Sequence, residues 1–87
     1  MKTMTIPVQT ISVCSTEGDM LPLRFRFMDE SAALRTVRIS RVLSSRETLY
    51  GGLHAMEYEC AAVDGDMEYY FTLKYNVLTH TWYYLKR

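Results

Sequence analysis

YYFTLKY (residues 69–75) and WYYL (residues 82–85) are the two segments that decide the fold class of this chain. Aromatic side chains fit a pleated, half-buried surface, and each such pair across neighbouring strands contributes roughly 0.2–1 kcal/mol beyond an alanine pair. The short interval at residues 76–79 is long enough for a turn. The two segments therefore predict a pair of adjacent β-strands and an all-β domain.

Three turn signals extend this prediction toward the N-terminus. Asp64-Gly65 lies between residues 56–63 and 67–75 and favours a type I′ hairpin, whose central residues both need positive φ. The other two signals and the strands that they connect are Gly51-Gly52 between residues 36–44 and 53–60, and Glu17-Gly18-Asp19 between residues 8–14 and 21–28. We expect one domain over residues 1–87, with residues 1–5 flexible, in an antiparallel meander of about six strands. Residues 31–38 leave room for at most one helical turn, and the meander closes into a barrel or a strongly twisted sheet.

Alternation with a period of two assigns the faces of these strands. In the strand at 21–28 the predicted inner residues are Leu21, Leu23, Phe25 and Phe27, and the predicted outer ones are Pro22, Arg24, Arg26 and Met28. In the strand at 36–44 the inner row is Val37, Ile39 and Leu43. In the C-terminal hairpin the inner rows are Tyr69, Phe71, Leu73 and Tyr75, then His80, Trp82 and Tyr84. These rows are the predicted core.

Composition limits the functional classes. The formal net charge is zero, so attraction to nucleic acid or to an acidic surface has to come from a local patch. Apolar runs are far below the roughly 20 residues that span a bilayer, and residues 1–7 lack the apolar centre of a signal peptide. We therefore expect a cytoplasmic protein with no membrane partner. Cys14 and Cys60 form no paired motif and are expected to be reduced and mostly buried.

Catalytic and metal sites find little support in the sequence. His54, His80, Cys14 and Cys60 supply reactive groups, but none lies in a recognised nucleophile context, and their spacing does not suit a zinc site. We expect no catalytic residue, no metal and no cofactor. The chain is predicted to be a non-enzymatic binding module.

Charge distribution gives the one specific hypothesis about function. Arginines concentrate in the first half of the chain, whereas residues 57–68 are acidic with no basic residue among them. The guanidinium fork binds phosphate bidentately and stacks on aromatic rings. We predict a nucleic-acid interface in which cations contact phosphates and tyrosines stack on bases. Its residues are Arg24, Arg26, Arg38, Arg41, Lys74, Tyr70 and Tyr83.

Two alternatives to this interface remain open. If residues 36–44 pair with residues 53–60, Arg38 and Arg41 face the strand that carries Glu57 and Glu59, and the surface neutralises itself at about 0–1 kcal/mol per exposed pair. The exposed aromatic side chains and a free strand edge would instead suit a protein partner or a homodimer.

Five segments follow one another in a recognisable order: PLRFRF (22–27), VRISRVL (37–43), YEC (58–60), YFTLKY (70–75) and WYYL (82–85). Their order resembles a group of small uncharacterised bacterial all-β proteins, some of them encoded beside translesion DNA polymerases. It covers most of residues 21–87 and rests on strand patterns. It implies an accessory role near DNA repair and transfers no catalytic residue to this chain.

Overall fold

A computed structural model describes residues 4–50 and 53–86 of the chain. Its strands are β1 (Met4–Cys14), β2 (Met20–Met28), β3 (Leu34–Arg38), β4 (Arg41–Tyr50), β5 (Leu53–Asp64), β6 (Met67–Asn76) and β7 (Thr81–Lys86). They form one seven-stranded sheet in the order β3-β2-β1-β7-β6-β5-β4, and every neighbouring pair is antiparallel. The all-β prediction is confirmed.

The long strand β1 joins two parts of the sheet. Its first half, from Met4 to Val8, pairs with β7, and its second half, from Gln9 to Cys14, pairs with β2. The sheet folds over itself around β1, because the Phe25 ring of β2 lies with its centroid 5.5 Å from that of Phe71 in β6. The core between the two layers contains Phe25, Tyr58, Cys60, Ala62, Phe71, Leu73, Tyr75 and Trp82.

The C-terminal hairpin has the predicted inner rows. Phe71, Leu73, Tyr75 and Trp82 are buried, and Tyr84 packs against them. The ends of these rows are more open, since Tyr69 is 38% exposed and His80 lies in the exposed turn before β7. The alternation rule therefore holds along the hairpin and weakens at its ends, where no layer covers the side chains.

The predicted strand at residues 36–44 is two strands, which corrects the expected count of six. The chain changes partners at Ile39 and Ser40. The Ile39 N–H donates to the Leu23 carbonyl oxygen in β2 at 3.0 Å, whereas the Ser40 N–H donates to the Ala61 carbonyl oxygen in β5 at 2.8 Å. Residues before this point belong to one end of the sheet and residues after it to the other. Closure into a barrel is not confirmed, because β3 and β4 remain the two edge strands of an open sheet.

Two β-bulges correct the assignment of faces. Leu23 is an extra residue between the pairs Ile11–Arg24 and Ser12–Pro22, so the face of β2 switches there and Pro22 is buried while Leu21 and Leu23 are exposed. Leu43 is likewise an extra residue between the pairs Val42–Cys60 and Ser44–Glu59. It is 45% exposed, and the half-buried Val42 packs against the core in its place. A bulge reverses every side chain beyond it.

The turns follow the glycine signals with one shift. Asp64 pairs with Met67, so the central residues of this hairpin are Gly65 and Asp66, and only Gly65 has positive φ, at 61°. The predicted type I′ turn centred on Asp64-Gly65 is therefore wrong by one residue. Gly18, with φ of 89°, lies in the predicted turn between β1 and β2. The Gly51-Gly52 turn lies outside the described residues. Of the strand at residues 36–44 that it was predicted to connect to residues 53–60, only the part from Arg41 onward pairs with β5.

The remaining predictions concern local features. Residues 31–38 contain no helical turn, because the Asp29 carboxylate accepts the N–H groups of Ser31 and Ala33 and the chain then enters β3. Cys14 and Cys60 are both free thiols, but Cys14 is exposed, which corrects its predicted burial. Of residues 1–5, Met4 and Thr5 belong to β1, and residues 1–3 lie outside the described part. No helix within residues 4–50 and 53–86 is long and apolar enough to cross a membrane.

Candidate nucleic-acid interface

Three predicted arginines share one surface, which we call the β1–β3 outer face. Arg24 and Arg26 alternate on β2 with the buried Phe25, so both point away from the core. Arg38 and Thr36 lie opposite them on β3, and Gln9 lies opposite Arg26 on β1. The Arg26 Nε–H donates to the Gln9 side-chain oxygen at 2.5 Å. The arginines of this face thus lie on the adjacent strands β2 and β3, and Gln9 on β1 borders them.

Arg24 and Arg38 are directly opposite each other in the pairing of β2 with β3. The Ile39 N–H bond to Leu23 and the Asp29 N–H bond to Ala33 mark the hydrogen-bonded pairs of this ladder. By alternation, Arg24 and Arg38 form a non-hydrogen-bonded pair, in which side chains lie closest. Like charges directly opposite each other destabilise a sheet. This surface therefore concentrates positive charge at a cost to folding.

The other described arginines are neutralised by carboxylates. Arg35 pairs with Asp29 at 2.6 Å, Arg41 with Glu68 at 2.9 Å, and Arg46 with Glu57 at 2.8 Å. In contrast, none of the carboxylates in the described residues forms an ion pair with Arg24, Arg26 or Arg38. In a chain with zero net charge, the β1–β3 outer face is a local positive patch.

The predicted neutralisation by Glu57 and Glu59 takes a different form. Glu57 is opposite Arg46, not Arg38 or Arg41, and Glu59 accepts a hydrogen bond from the Thr72 hydroxyl at 3.0 Å. Because the chain changes partners at Ile39 and Ser40, Arg38 on β3 pairs with β2 and not with β5. Self-neutralisation therefore describes the β4–β5–β6 part of the sheet but not the β1–β3 outer face.

Arg41 and Tyr70 belong to a separate cluster around Glu68. Arg41 binds this carboxylate through Nε and Nη2, and the Tyr70 hydroxyl donates to it at 2.8 Å. The hydrogen bond from Arg41, followed by that from Tyr70, lowers the pKa of Glu68. The charge of Arg41 is thus already satisfied. The structure does not bring these two predicted site residues together with Arg24, Arg26 and Arg38.

Lys74 and Tyr83 lie opposite each other on β6 and β7, on the same outer side of the sheet. Lys74 is also opposite Glu57 on β5, so an acidic side chain lies next to it. Tyr83 lines a cleft of about 950 Å³ together with Arg24, Arg26, Gln9 and Thr36. This cleft opens where β1 leaves β7 and joins β2. It connects the β1–β3 outer face with a half-buried tyrosine ring.

The neutral polar residues of the face were not predicted. Gln9 and Thr36 join it only through strand register, and alternation in β1 was the one signal in the sequence that could have indicated Gln9. The histidines lie elsewhere: His54 contacts Glu47 at 3.1 Å, and His80 contacts the Tyr75 hydroxyl at 2.8 Å. No group of three or more metal-ligating side chains occurs in the described part of the chain.

The chemistry of the face is that of anion binding. Guanidinium groups offer forked donors to phosphate oxygens, and an amide and a hydroxyl beside them add neutral donors. A tyrosine at the rim of the cleft offers a surface for stacking. Comparison of the chain with protein-family models, curated proteins and solved structures finds no match in any of the three.

Proposed function

We propose that this protein is a non-enzymatic module that binds single-stranded nucleic acid on the β1–β3 outer face. The observation that carries the proposal is the pair of opposed arginines, Arg24 and Arg38, which have no carboxylate partner in the described residues. A sheet gains stability when opposed charges differ in sign, so this arrangement calls for a bound anion. A phosphate between the two guanidinium groups would turn repulsion into two attractive contacts.

Single-stranded nucleic acid suits the rest of the surface better than a lone phosphate. Arg26 is two residues from Arg24 on the same face of β2, which extends the cationic row along the strand. Tyr83 borders the same cleft, and stacking of a base on an aromatic ring contributes about 1–3 kcal/mol. Alternating phosphate and base contacts along one groove are typical of binding without sequence preference.

Fluorescence anisotropy with labelled 15-nucleotide DNA and RNA at 20 and 200 mM salt tests the proposal. Three phosphate contacts on a single strand give a slope of log affinity against log salt of about −2, from roughly 0.7 per contact, so affinity falls about 100-fold between these salts. The R24Q/R38Q variant should lose about two thirds of that slope.

The matched control is Arg46→Gln, which removes a cation that Glu57 already neutralises. We expect it to leave the salt dependence unchanged. Absence of binding at 20 mM salt, or equal slopes for the wild type and R24Q/R38Q, would overturn the proposal. Binding of RNA and DNA to the same extent would indicate that the face contacts phosphates and ring faces rather than the 2′-hydroxyl.

A further inference from the structure

The sheet leaves a gap between its first edge and the end of β5, which we call the β3–β5 wedge. One side is β3, and the other is residues 62–64 at the end of β5. The pairing of β4 with β5 begins at Arg41 and Ala61, so residues 62–64 have no partner on β4. The sides meet at Ser40, whose N–H and hydroxyl both donate to the Ala61 carbonyl oxygen. The wedge widens away from this contact into a cavity of about 550 Å³.

Backbone groups on both sides of the wedge point into it. Alternation in the β2–β3 ladder directs the N–H and C=O groups of Leu34, Thr36 and Arg38 away from β2 and toward the wedge. On the other side the Ala61 carbonyl faces Ser40, so the backbone groups of Val63, two residues later, face the same way. No described residue forms a backbone ladder with either set. The wedge thus has the hydrogen-bonding pattern of a missing strand.

The side chains around the wedge include apolar ones and also the charged Arg35, Arg38 and Asp64. Phe27, Tyr69 and Tyr84 line its inner side, and burial raises the pKa of the Tyr69 and Tyr84 hydroxyls. On the outer side, Leu34 is 63% exposed and Val63 is 57% exposed. Exposed apolar residues flanking an open edge are a known aggregation hazard unless something covers them. An occupant whose alternate apolar side chains face inward would bury the inner set.

We propose that the β3–β5 wedge binds an extended segment of a partner protein as an added β-strand, with apolar residues toward Phe27, Tyr69 and Tyr84 and a carboxylate opposite Arg38. Strand addition of this kind takes affinity from backbone hydrogen bonds and specificity from alternate side chains. The inference goes beyond nucleic-acid binding, because it rests on backbone edges that the β1–β3 outer face does not use, and Arg38 is the side chain that the two surfaces share.

The geometry restricts what can enter the wedge. A strand that bonds to both sides needs two free edges, whereas β3 and β4, the edge strands of a second copy, each have one edge already paired. The undescribed run inside the sequence, residues 51–52, is shorter than the five residues of β3. The occupant that fits is therefore an otherwise unpaired segment of another protein.

Charge complementarity defines the side chain opposite Arg38. On the other edge of the sheet, Arg46 is opposite Glu57 and binds it at 2.8 Å. Arg38 has only Arg24 opposite it, and the position on its free side belongs to the added strand. An acidic residue there would give Arg38 the cross-strand partner that Arg46 already has.

A labelled nine-residue peptide of alternating valine and threonine with one central glutamate is the probe, and binding is measured by anisotropy in the absence of nucleic acid. Thr36→Pro removes the N–H that points into the wedge, and proline is tolerated on an edge strand because no ladder bond is lost. We expect this variant to weaken binding about tenfold and the matched Thr36→Ala variant, which keeps the N–H group, to weaken it much less.

A second measurement keeps the test independent of how the proline variant folds. The same peptide, methylated at alternate backbone nitrogens, should fail to bind the wild-type protein, and replacement of its glutamate by glutamine should weaken binding. Equal binding of the methylated and unmethylated peptides would overturn strand addition. Dimerisation of the protein without peptide, abolished by Thr36→Pro, would overturn the assignment of the occupant and make it a second copy.

Discussion

Replacing Arg38 by glutamate should stabilise the free protein and weaken its binding of nucleic acid. The variant converts the like-charged pair of Arg24 and Arg38, directly opposed in the ladder, into an attractive pair. Each exposed cross-strand charge pair contributes roughly 0.2–1 kcal/mol in either direction, so removal of repulsion and gain of attraction together give about 1 kcal/mol. For a domain of this size that corresponds to a rise in Tm of about 4–8 °C.

Thermal unfolding followed by circular dichroism at 20 mM and 1 M salt measures this change. The gain should shrink at 1 M, where the Debye length falls to about 3 Å. Arg46→Glu is the matched control of opposite sign, because it places a second carboxylate opposite Glu57 and should lower Tm. A double variant, R24E/R38E, restores a like-charged pair and should lose the gain. An unchanged or lower Tm for Arg38→Glu at low salt would refute the reasoning about the opposed arginines.

Two further predictions test the bulges and the burial of the thiols. Leu73→Ala should lower the free energy of unfolding by about 2–5 kcal/mol, because Leu73 is fully buried. Leu43→Ala should lower it by less than about 0.5 kcal/mol, because the bulge places Leu43 on the surface. Urea denaturation measures both changes, and equal losses would contradict the bulge. Cys14 is exposed, whereas burial raises the pKa of the Cys60 thiol to about 12. A disulfide reagent at pH 8 should therefore modify one thiol in the native protein and two in denaturant, and the Cys14→Ser variant should show none until it unfolds.

The sequence predicts the core of this fold better than its edges. Alternation identifies Phe25, Phe71, Leu73 and Trp82 because each lies where the two layers of the folded sheet pack against each other. The bulges at Leu23 and Leu43 are invisible, since leucine is an ordinary strand residue and nothing local marks an extra one. Their cause is long-range, in the fit of β2 to β1 and of β4 to β5.

The candidate site is predictable in composition but not in arrangement. The excess of arginine in the first half of the chain is a property of the sequence, whereas the carboxylate that each arginine meets depends on register. Arg41 and Arg46 pair with Glu68 and Glu57, although the excess of arginine had placed Arg41 in the predicted interface. A guanidinium is free or paired according to its neighbours across the ladder, and these become known only with the topology.

The break at Ile39 and Ser40 controls both proposed binding sites. A continuous strand over residues 36–44 in the register of Arg41 with Ala61 would have placed Arg38 opposite Asp64, whose carboxylate would neutralise it. It would also have brought the free backbone groups of β3 against residues 62–64, and the wedge would have closed. Because the chain instead transfers from β2 to β5 at these two residues, Arg38 meets Arg24 and the edge of β3 stays open. A variant in which residues 36–38 paired with β5 instead of β2 would therefore be expected to lose nucleic-acid and peptide binding together.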